Sequence, residues 1–237
     1  MMTRDEYIES LRKLDLKVYF MGERIKNPVD HPMIRPSLNS LAMSYKLAEM
    51  PEHKELMTAK SHLTGHTINR FCHIHQSPQD LVNKVKMQRL LGQETASCFQ
   101  RCVGMDAFNA IYSTTFEMDK ALGTDYFERF KKWLIMVQDK DLVVDGAMTD
   151  PKGDRSKGPS DQPDPDLYLH VVEKRPDGIV VCGAKAHQTG AVNSHEHLIM
   201  PTCSMREADK DYAVCFAIEG DAPGVSMIYG RQSCDTR

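Results

Sequence analysis

No uncharged apolar run in the sequence approaches the roughly 20 residues that a membrane-spanning helix needs. Neither charge sign dominates. With 30 Lys+Arg against 33 Asp+Glu the formal net charge is −3, which gives no electrostatic case for nucleic acid or an anionic membrane as the main partner. No two glycines are spaced Gly-x-Gly, so the dinucleotide fingerprint is absent. Gly153/Gly158 and Gly178/Gly183 have the outer spacing of a phosphate loop, yet neither pair is followed by Lys-Ser or Lys-Thr. The opening Met1-Met2-Thr3-Arg4-Asp5-Glu6 does not read as an export signal, so a cytoplasmic location is expected. Without such a signal, the seven cysteines (72, 98, 102, 182, 203, 215 and 234) read as thiols or metal ligands, not as a disulfide framework.

What is present fits a soluble globular chain with a real core: 237 residues, 41% apolar and 27% charged. To about residue 140 the periodicity is helical. Thr3-Arg4-Asp5-Glu6 is a capping box ahead of Tyr7, Ile8 and Leu11. Leu38, Leu41 and Tyr45 share a helix face between Pro36 and Pro51. Further stripes carry Leu81, Val85 and Leu91; then Phe108, Ile111, Tyr112 and Phe116; then Tyr126, Phe130, Trp133 and Val137, the last opened by Thr124 as N-cap.

After Asp145 the texture changes. Residues 145–166 are rich in Asp, Pro, Gly, Ser and Lys, which is loop chemistry. Short β-type runs follow at 167–173, 179–182, 197–201, 212–218 and 225–229, and Arg175-Pro176-Asp177-Gly178 predicts a hairpin turn. The expectation is an α+β chain, with an α-helical domain over 1–140 and a β-domain over 141–237. The chain stops straight after the last run, leaving that sheet with open edges. A fragment is therefore expected.

Several stretches could carry chemistry, each with a plainer reading beside it. His73-Ile74-His75 and His195-Glu196-His197 put two imidazoles on one face if extended, but a third metal ligand at a recognisable spacing is lacking. Cys98-Phe99-Gln100-Arg101-Cys102 would place two sulfurs one helical turn apart, as metal ligands or as buried small hydrophobes. In Met148-Thr149-Asp150-Pro151-Lys152-Gly153-Asp154-Arg155, hydroxyl, ammonium, guanidinium and glycine amides could cradle a pyrophosphate, or the stretch is a solvated connector. Gly183–Ser194 is small and polar where a strand should continue, which suggests backbone close to a ligand.

Taken together, Leu90-Leu91-Gly92-Gln93, Thr95–Phe108, Asp145–Arg155 and Gly183–His197 resemble the 4-hydroxybutyryl-CoA dehydratase (vinylacetyl-CoA Δ-isomerase) family. The resemblance runs along essentially the whole chain, from Tyr7–Leu11 to Tyr229–Arg237. More distantly the chain is similar to the flavin-dependent 4-hydroxyphenylacetate 3-monooxygenases. The resemblance implies an acyl-CoA dehydrogenase-like fold: an N-terminal α-domain, a middle β-domain, and a C-terminal helical bundle that is missing here. It implies FAD contacted by Thr149, Lys152, Gly153, Asp154 and Arg155, with Gly158, Pro159 and Ser160 as weaker candidates. Thr189 matches the position whose hydroxyl approaches the reactive flavin nitrogen, and Asn193 and Ser194 match the substrate-side turn. Cys98 and Cys102 match two ligands of a [4Fe-4S] cluster, the other two, a His and a Cys, being expected beyond residue 237. Gln100 is carried over as a substrate contact or a plain surface residue.

The implied reaction is dehydration of 4-hydroxybutyryl-CoA to crotonyl-CoA through a radical route, because the C3 hydrogen is not acidic enough for a base alone. The implied partner is an acyl-CoA thioester, and the implied assembly a homo-oligomer, a tetramer in the family. Two competing readings stand beside it: a flavin monooxygenase acting on a phenol, and a non-catalytic truncated product or subunit. The cysteine pair favours the dehydratase branch.

Overall fold

The computed structural model describes residues 1–230, so Cys234 lies outside the described residues. Helix α1 (Arg4–Arg12) starts on the expected capping box, closed from both sides: Glu6 N donates to Thr3 Oγ1 at 3.2 Å and Thr3 N to Glu6 Oε2 at 2.7 Å. Its buried Tyr7 stacks on Tyr45 with ring centroids 4.6 Å apart and donates its hydroxyl to Asn193 O at 2.7 Å. One side chain thus ties the first helix to a turn 186 residues away.

Helices α2 (Arg35–Glu49) and α3 (Pro51–Met57) are divided where Pro51 opens a new helix at its first position. Helices α4 (Pro78–Thr95), α5 (Cys102–Leu122) and α6 (Tyr126–Asp139) complete the helical set. Two expectations are corrected here. Leu81 and Val85 of α4 are exposed, and only Leu91 of that stripe is buried. Thr124 does not cap α6: the carboxylate of Asp119, at the end of α5, accepts from Tyr126 N and Phe127 N at 2.9 Å each and also from Thr124 Oγ1. A carboxylate reaches across the connection more effectively than a local hydroxyl and carries the charge that a helix N-terminus favours.

The strands are short. β1 (Val18–Phe20) and β2 (Glu23–Ile25) form a hairpin through Met21-Gly22, both with positive φ, as a two-residue turn requires. Methionine is no turn residue, so this hairpin is illegible in the sequence. β3 (Thr58–Lys60) and β4 (Thr67–Asn69) make a second small antiparallel pair. β5 (Val144–Ala147) runs parallel to β8 (Glu196–Ile199), which pairs antiparallel with β9 (Phe216–Glu219). β6 (His170–Arg175) and β7 (Gly178–Cys182) form the hairpin expected from Arg175–Gly178. β10 (Met227–Ile228) returns to pair in parallel with β1. The expected runs at 167–173 and 212–218 are strands only from His170 and Phe216. Before them the chain holds one isolated bridge at Tyr168 and a 3-10 turn over Glu207–Tyr212. The fold is thus mixed helix and sheet.

Three apolar clusters draw members from both sides of residue 140. Val144 and Leu198 pack with Phe108, Phe130 and Leu134; Val143 packs with Tyr7 and Leu41; Val192 and Met227 pack with Leu16 and Val18. Among the described residues, no helix is long and apolar enough to cross a membrane.

His195 bridges α1 to the strand edge. Its Nδ1 accepts from Val143 N at 3.0 Å and its Nε2 lies 2.8 Å from Ser10 Oγ, so the neutral ring with hydrogen on Nε2 satisfies both sites. Burial, aided by the positive charge of Arg101, pushes its pKa down to about 4. A histidine depressed in the folded state contributes its stability above the unfolded value near 6.5, and loses it as the pH falls from there toward about 4. Between pH 7 and pH 5, unfolding free energy should therefore fall by about 2 kcal/mol on account of this group. Urea unfolding of wild type and His195→Asn at both pH values isolates it, since the variant should lack that share of the loss.

Candidate functional site

The two cysteines singled out in the sequence stand at the entry to α5, but not as one turn of helix. α4 closes on a left-handed Ala96 (φ 48°), and Gln100 is also left-handed (φ 64°). Cys98 therefore lies in the connecting loop, and Cys102 is the first residue of α5. The i,i+4 helical spacing is corrected: Cys98 stands in the loop and not on the helix, while burial and then the neighbouring Cys98 push the Cys102 thiol up. Backbone N–H groups of Val103 and Cys102 pull it the other way, as expected at a helix N-terminus. Cys98 is exposed and Cys102 half-buried. An exposed thiol in the loop and a half-buried one at the helix N-terminus are a donor set that fits a soft metal. Among the described residues no third His, Cys, Asp or Glu joins them in a metal-binding group.

The seat of Cys102 depends on two missing side chains. A Cβ at Gly104 would collide with the carbonyl oxygen of Val144, and one at Gly146 with Val103. The first turn of α5 thus lies directly on β5.

Gln100, Asn193 and Ser194 converge with this loop. Asn193 Nδ2 donates to Gln100 Oε1 at 2.8 Å and to Ser37 Oγ at 3.0 Å, while Gln100 Nε2 donates to Ser37 O at 2.8 Å. Ser194 Oγ donates to Gly190 O at 2.9 Å, closing the 3-10 turn Ala191–Asn193. All three side chains are buried and occupied by protein partners. Thr189, two residues before that turn, is exposed and has no side-chain partner among the described residues. Beneath lies Asp145, opposite His197 in the β5–β8 register, with Asp145 Oδ2 and His197 Nδ1 3.8 Å apart. Asp145 Oδ2 and His197 Nε2 are both buried without a hydrogen bond in the protein.

The loop after β5 runs beside the 185–190 segment. Lys185 Nζ donates to Met148 O at 3.0 Å, Met200 O at 2.8 Å and Asp150 Oδ1 at 2.6 Å, using all three of its hydrogens. Ala186 N donates to Thr149 O at 2.8 Å. Gln162 folds the next stretch: its Oε1 accepts from Asp154 N and its Nε2 donates to Asp154 O. Asp154 is committed to Ser156, and Ser160 donates through both N and Oγ to Asp209 Oδ1. Gly153 and Gly158 are half-buried against Gln162 and Arg206, and Pro159 is buried. Lys152 and Arg155 are exposed, and among the described residues neither makes a side-chain hydrogen bond or ion pair. Two unpartnered cations on a braced loop fit an anionic group such as a pyrophosphate.

Neither histidine pair gathers a third metal ligand among the described residues, and His73 Nδ1, His75 Nε2 and His197 Nε2 are buried without a hydrogen bond. His195 is engaged as above, and the rings of His73 and His75 stand 6.2 Å apart, with His73 Nε2 3.3 Å from Asp80 Oδ1. A cleft of about 280 Å³ between α1 and α2, lined by Arg4, Glu9, Arg12, Asp30 and Arg35, lies apart from all these residues. Its Arg12 is already paired with Asp30 and Glu9. Sequence reasoning missed Lys185, Asp145 and the serines of α2. Lys185 and Asp145 lie inside stretches the sequence did single out, Gly183–Ser194 and Asp145–Arg155, and the serines left a trace as polar residues 37, 40 and 44 beside the apolar Leu38–Leu41–Tyr45 stripe.

The family model described as 4-hydroxyphenylacetate 3-hydroxylase N terminal matches residues 3–237. A 4-hydroxybutyryl-CoA dehydratase/vinylacetyl-CoA-Delta-isomerase from Clostridium aminobutyricum is 67% identical over 237 residues, 100% of this chain and 48% of the relative. The oxygenase component of 4-hydroxyphenylacetate 3-monooxygenase from Thermus thermophilus is 28% identical over 230 residues, 95% of this chain and 46% of its own. A solved oxygen-tolerant archaeal 4-hydroxybutyryl-CoA dehydratase from N. maritimus superposes with a TM-score of 0.95 at 58% identity, covering 99% of this chain and 46% of that one. The oxygenase component of a 4-hydroxyphenylacetate 3-monooxygenase complexed with FAD gives a TM-score of 0.76 at 26% identity, covering 96% and 46%. The chain spans about half the length of the curated relatives it matches.

Lys185 and Asp150 retain only 8% and 13% of their side-chain exposure, so removing one charge strands the other. Lys185→Met should destabilise the fold by about 3 kcal/mol. Adding Asp150→Leu should recover part of that loss, and chemical unfolding of the two variants measures both.

Proposed function

The chain belongs to the 4-hydroxyphenylacetate 3-hydroxylase N-terminal family, and from that footing we propose that it serves the dehydration of 4-hydroxybutyryl-CoA to crotonyl-CoA, with vinylacetyl-CoA isomerisation. The observation that carries this reading is the 67% identity over all 237 residues to a dehydratase/isomerase, against 28% to a monooxygenase. In this proposal the chain supplies an acyl-CoA dehydrogenase-like α-domain (1–140) and middle β-domain (141–237), and a C-terminal bundle belongs to the longer protein. A cytoplasmic homo-oligomer acting on an acyl-CoA thioester completes the reading.

Within it, Lys152 and Arg155 hold the pyrophosphate of FAD, with Thr149, Gly153 and Asp154 shaping the loop and Gly158, Pro159 and Ser160 bracing it. The exposed hydroxyl of Thr189 faces the isoalloxazine. Asn193 and Ser194 fix the substrate-side turn rather than reaching out, because both side chains are buried and bonded. Gln100 acts likewise: its amide is bonded at both ends, so turning it toward substrate would break two bonds worth about 1 kcal/mol each. Cys98 and Cys102 give two thiolates to a [4Fe-4S] cluster whose remaining ligands lie elsewhere. When bound, the flavin supplies one-electron chemistry and the cluster Lewis acidity at the leaving hydroxyl. A phenol monooxygenase is the second reading, favoured by the family description and by the FAD-bound relative of similar fold.

Anaerobic reconstitution with iron and sulfide separates the two, because the monooxygenase reading needs no cluster. In a chain of the relatives' full length, a four-iron chromophore should form and be lost in Cys98→Ala and in Cys102→Ala. The 237-residue chain alone should not hold it stably, since a four-iron cluster usually takes four protein ligands. A full-length Cys98→Ala that keeps its cluster overturns the ligand assignment.

The flavin loop is tested separately. Replacing Lys152 and Arg155 together by Ala should weaken FAD binding more than tenfold, from losing charge-assisted bonds of roughly 1.5–3 kcal/mol each. Unchanged flavin retention on equilibrium dialysis removes the loop from the site.

A further inference from the structure

Three hydrogen bonds tie the loop that presents Cys98 to α2. Ser40 Oγ donates to Cys98 O at 2.9 Å, Ser37 O accepts from Gln100 Nε2 at 2.8 Å, and Ser44 Oγ accepts from Arg101 Nη1 at 3.1 Å. Positions 37, 40 and 44 fall at i, i+3 and i+7, on one side of the helix. They meet Gln100, Cys98 and Arg101 respectively. Ser40 and Ser44 are buried, where an alanine would favour the helix more.

Arg101 is the more telling residue. It is buried, and its guanidinium lies 4.9 Å from the ring centroids of both Tyr45 and Phe71. Its remaining contact is a weak one, Nη2 to Cys72 Sγ at 3.9 Å. Among the described residues it makes no ion pair with a carboxylate. The buried Asp141 carboxylate acts on this charge through space rather than by direct contact, and the aromatic seat and the serine hold the guanidinium in place. What they do is geometric. The guanidinium plugs the loop into α2 on the residue just before Cys102, while Ser40 fixes Cys98 on the far side of the left-handed Gln100.

We propose that Ser40, Ser44 and Arg101 are positioning residues that set the spacing of Cys98 and Cys102 before any metal arrives, so that the chain presents a preorganised dithiol to a thiophilic centre. This rests on the assignment of those cysteines as a ligand pair. Preorganisation means that binding does not have to order the loop, which is where affinity is otherwise lost.

The probe is phenylarsine oxide, whose arsenic condenses with two thiols: two As–S bonds form, the arsenic-bound oxygen takes both thiol protons, and it leaves as water. The 237-residue chain is used with Cys182, Cys203, Cys215 and Cys234 changed to Ser. It should bind one arsenical, and Cys98→Ala should abolish that binding. Ser40→Ala should weaken binding at least tenfold at an unchanged melting temperature, and Ser40→Thr, which keeps the hydroxyl, should restore it. If Ser40→Ala fails to fold, Arg101→Lys serves instead, keeping the charge but losing the planar fork, with the same loss expected. Equal affinity in the folded variants overturns the positioning role and leaves the cysteine pair standing. Absence of Cys98-dependent binding in the parent chain overturns the pair itself, and the positioning role with it.

Discussion

The contact on which the rest of this structure depends is the seating of the first turn of α5 on β5. Two glycines, Gly104 and Gly146, let a helix backbone and a strand backbone approach where any Cβ would collide. That contact sets where Cys102 begins its helix and where Asp145 faces the following turn. Because β5 pairs with β8 in parallel, it also fixes the segment that leads into β8, with Thr189, Asn193 and Ser194. A helix terminus, a loop and a turn from distant parts of the sequence thereby occupy one neighbourhood.

Buried polar groups then make that neighbourhood specific. Lys185 spends its three hydrogens on two carbonyls and one carboxylate, locking the loop after β5 to the end of β8. His195 joins α1 to the same sheet, and Tyr7 joins it to the 3-10 turn. Such bonds add little net energy when made but are expensive to leave unmade, so they select one arrangement rather than merely favouring compactness. Asp145 and His197 stand out for the opposite reason: each keeps a buried atom without a protein partner beneath the turn. The cations of the 149–155 loop, by contrast, are left open at the surface, while the backbone around them is braced by Gln162 and by Lys185. A rigid loop with free charges is suited to gripping an anion without paying again for order.

The same mixed helix-and-sheet scaffold appears in relatives at 26–28% identity that are named for a different activity, so the scaffold alone does not decide the chemistry. The thiol pair at the start of α5 is what would make this chain's site different from a flavin site alone.

The sequence by itself determined the local elements whose signals are short in range: the Thr3–Glu6 capping box, the Arg175–Gly178 hairpin and the Pro51 helix start, because each is decided by hydrogen bonds among neighbours. Resemblance of the stretches around Cys98, Asp145 and Gly183 likewise pointed to the family that the comparisons bear out. Other features could be decided only by the tertiary structure. A left-handed Gln100 moved Cys98 out of the helix, Asp119 took the capping role that Thr124 seemed to own, and Leu81 and Val85 were left exposed. Met21 entered a turn that no propensity favours, and β10 came back to β1. Ser37, Ser40, Ser44 and Lys185 look like ordinary surface residues in sequence, and became anchors only when distant segments arrived beside them. The physical reason is common to all: periodicity reports which face a residue occupies, but its hydrogen-bond partner and its close backbone neighbours are set by where the rest of the chain packs.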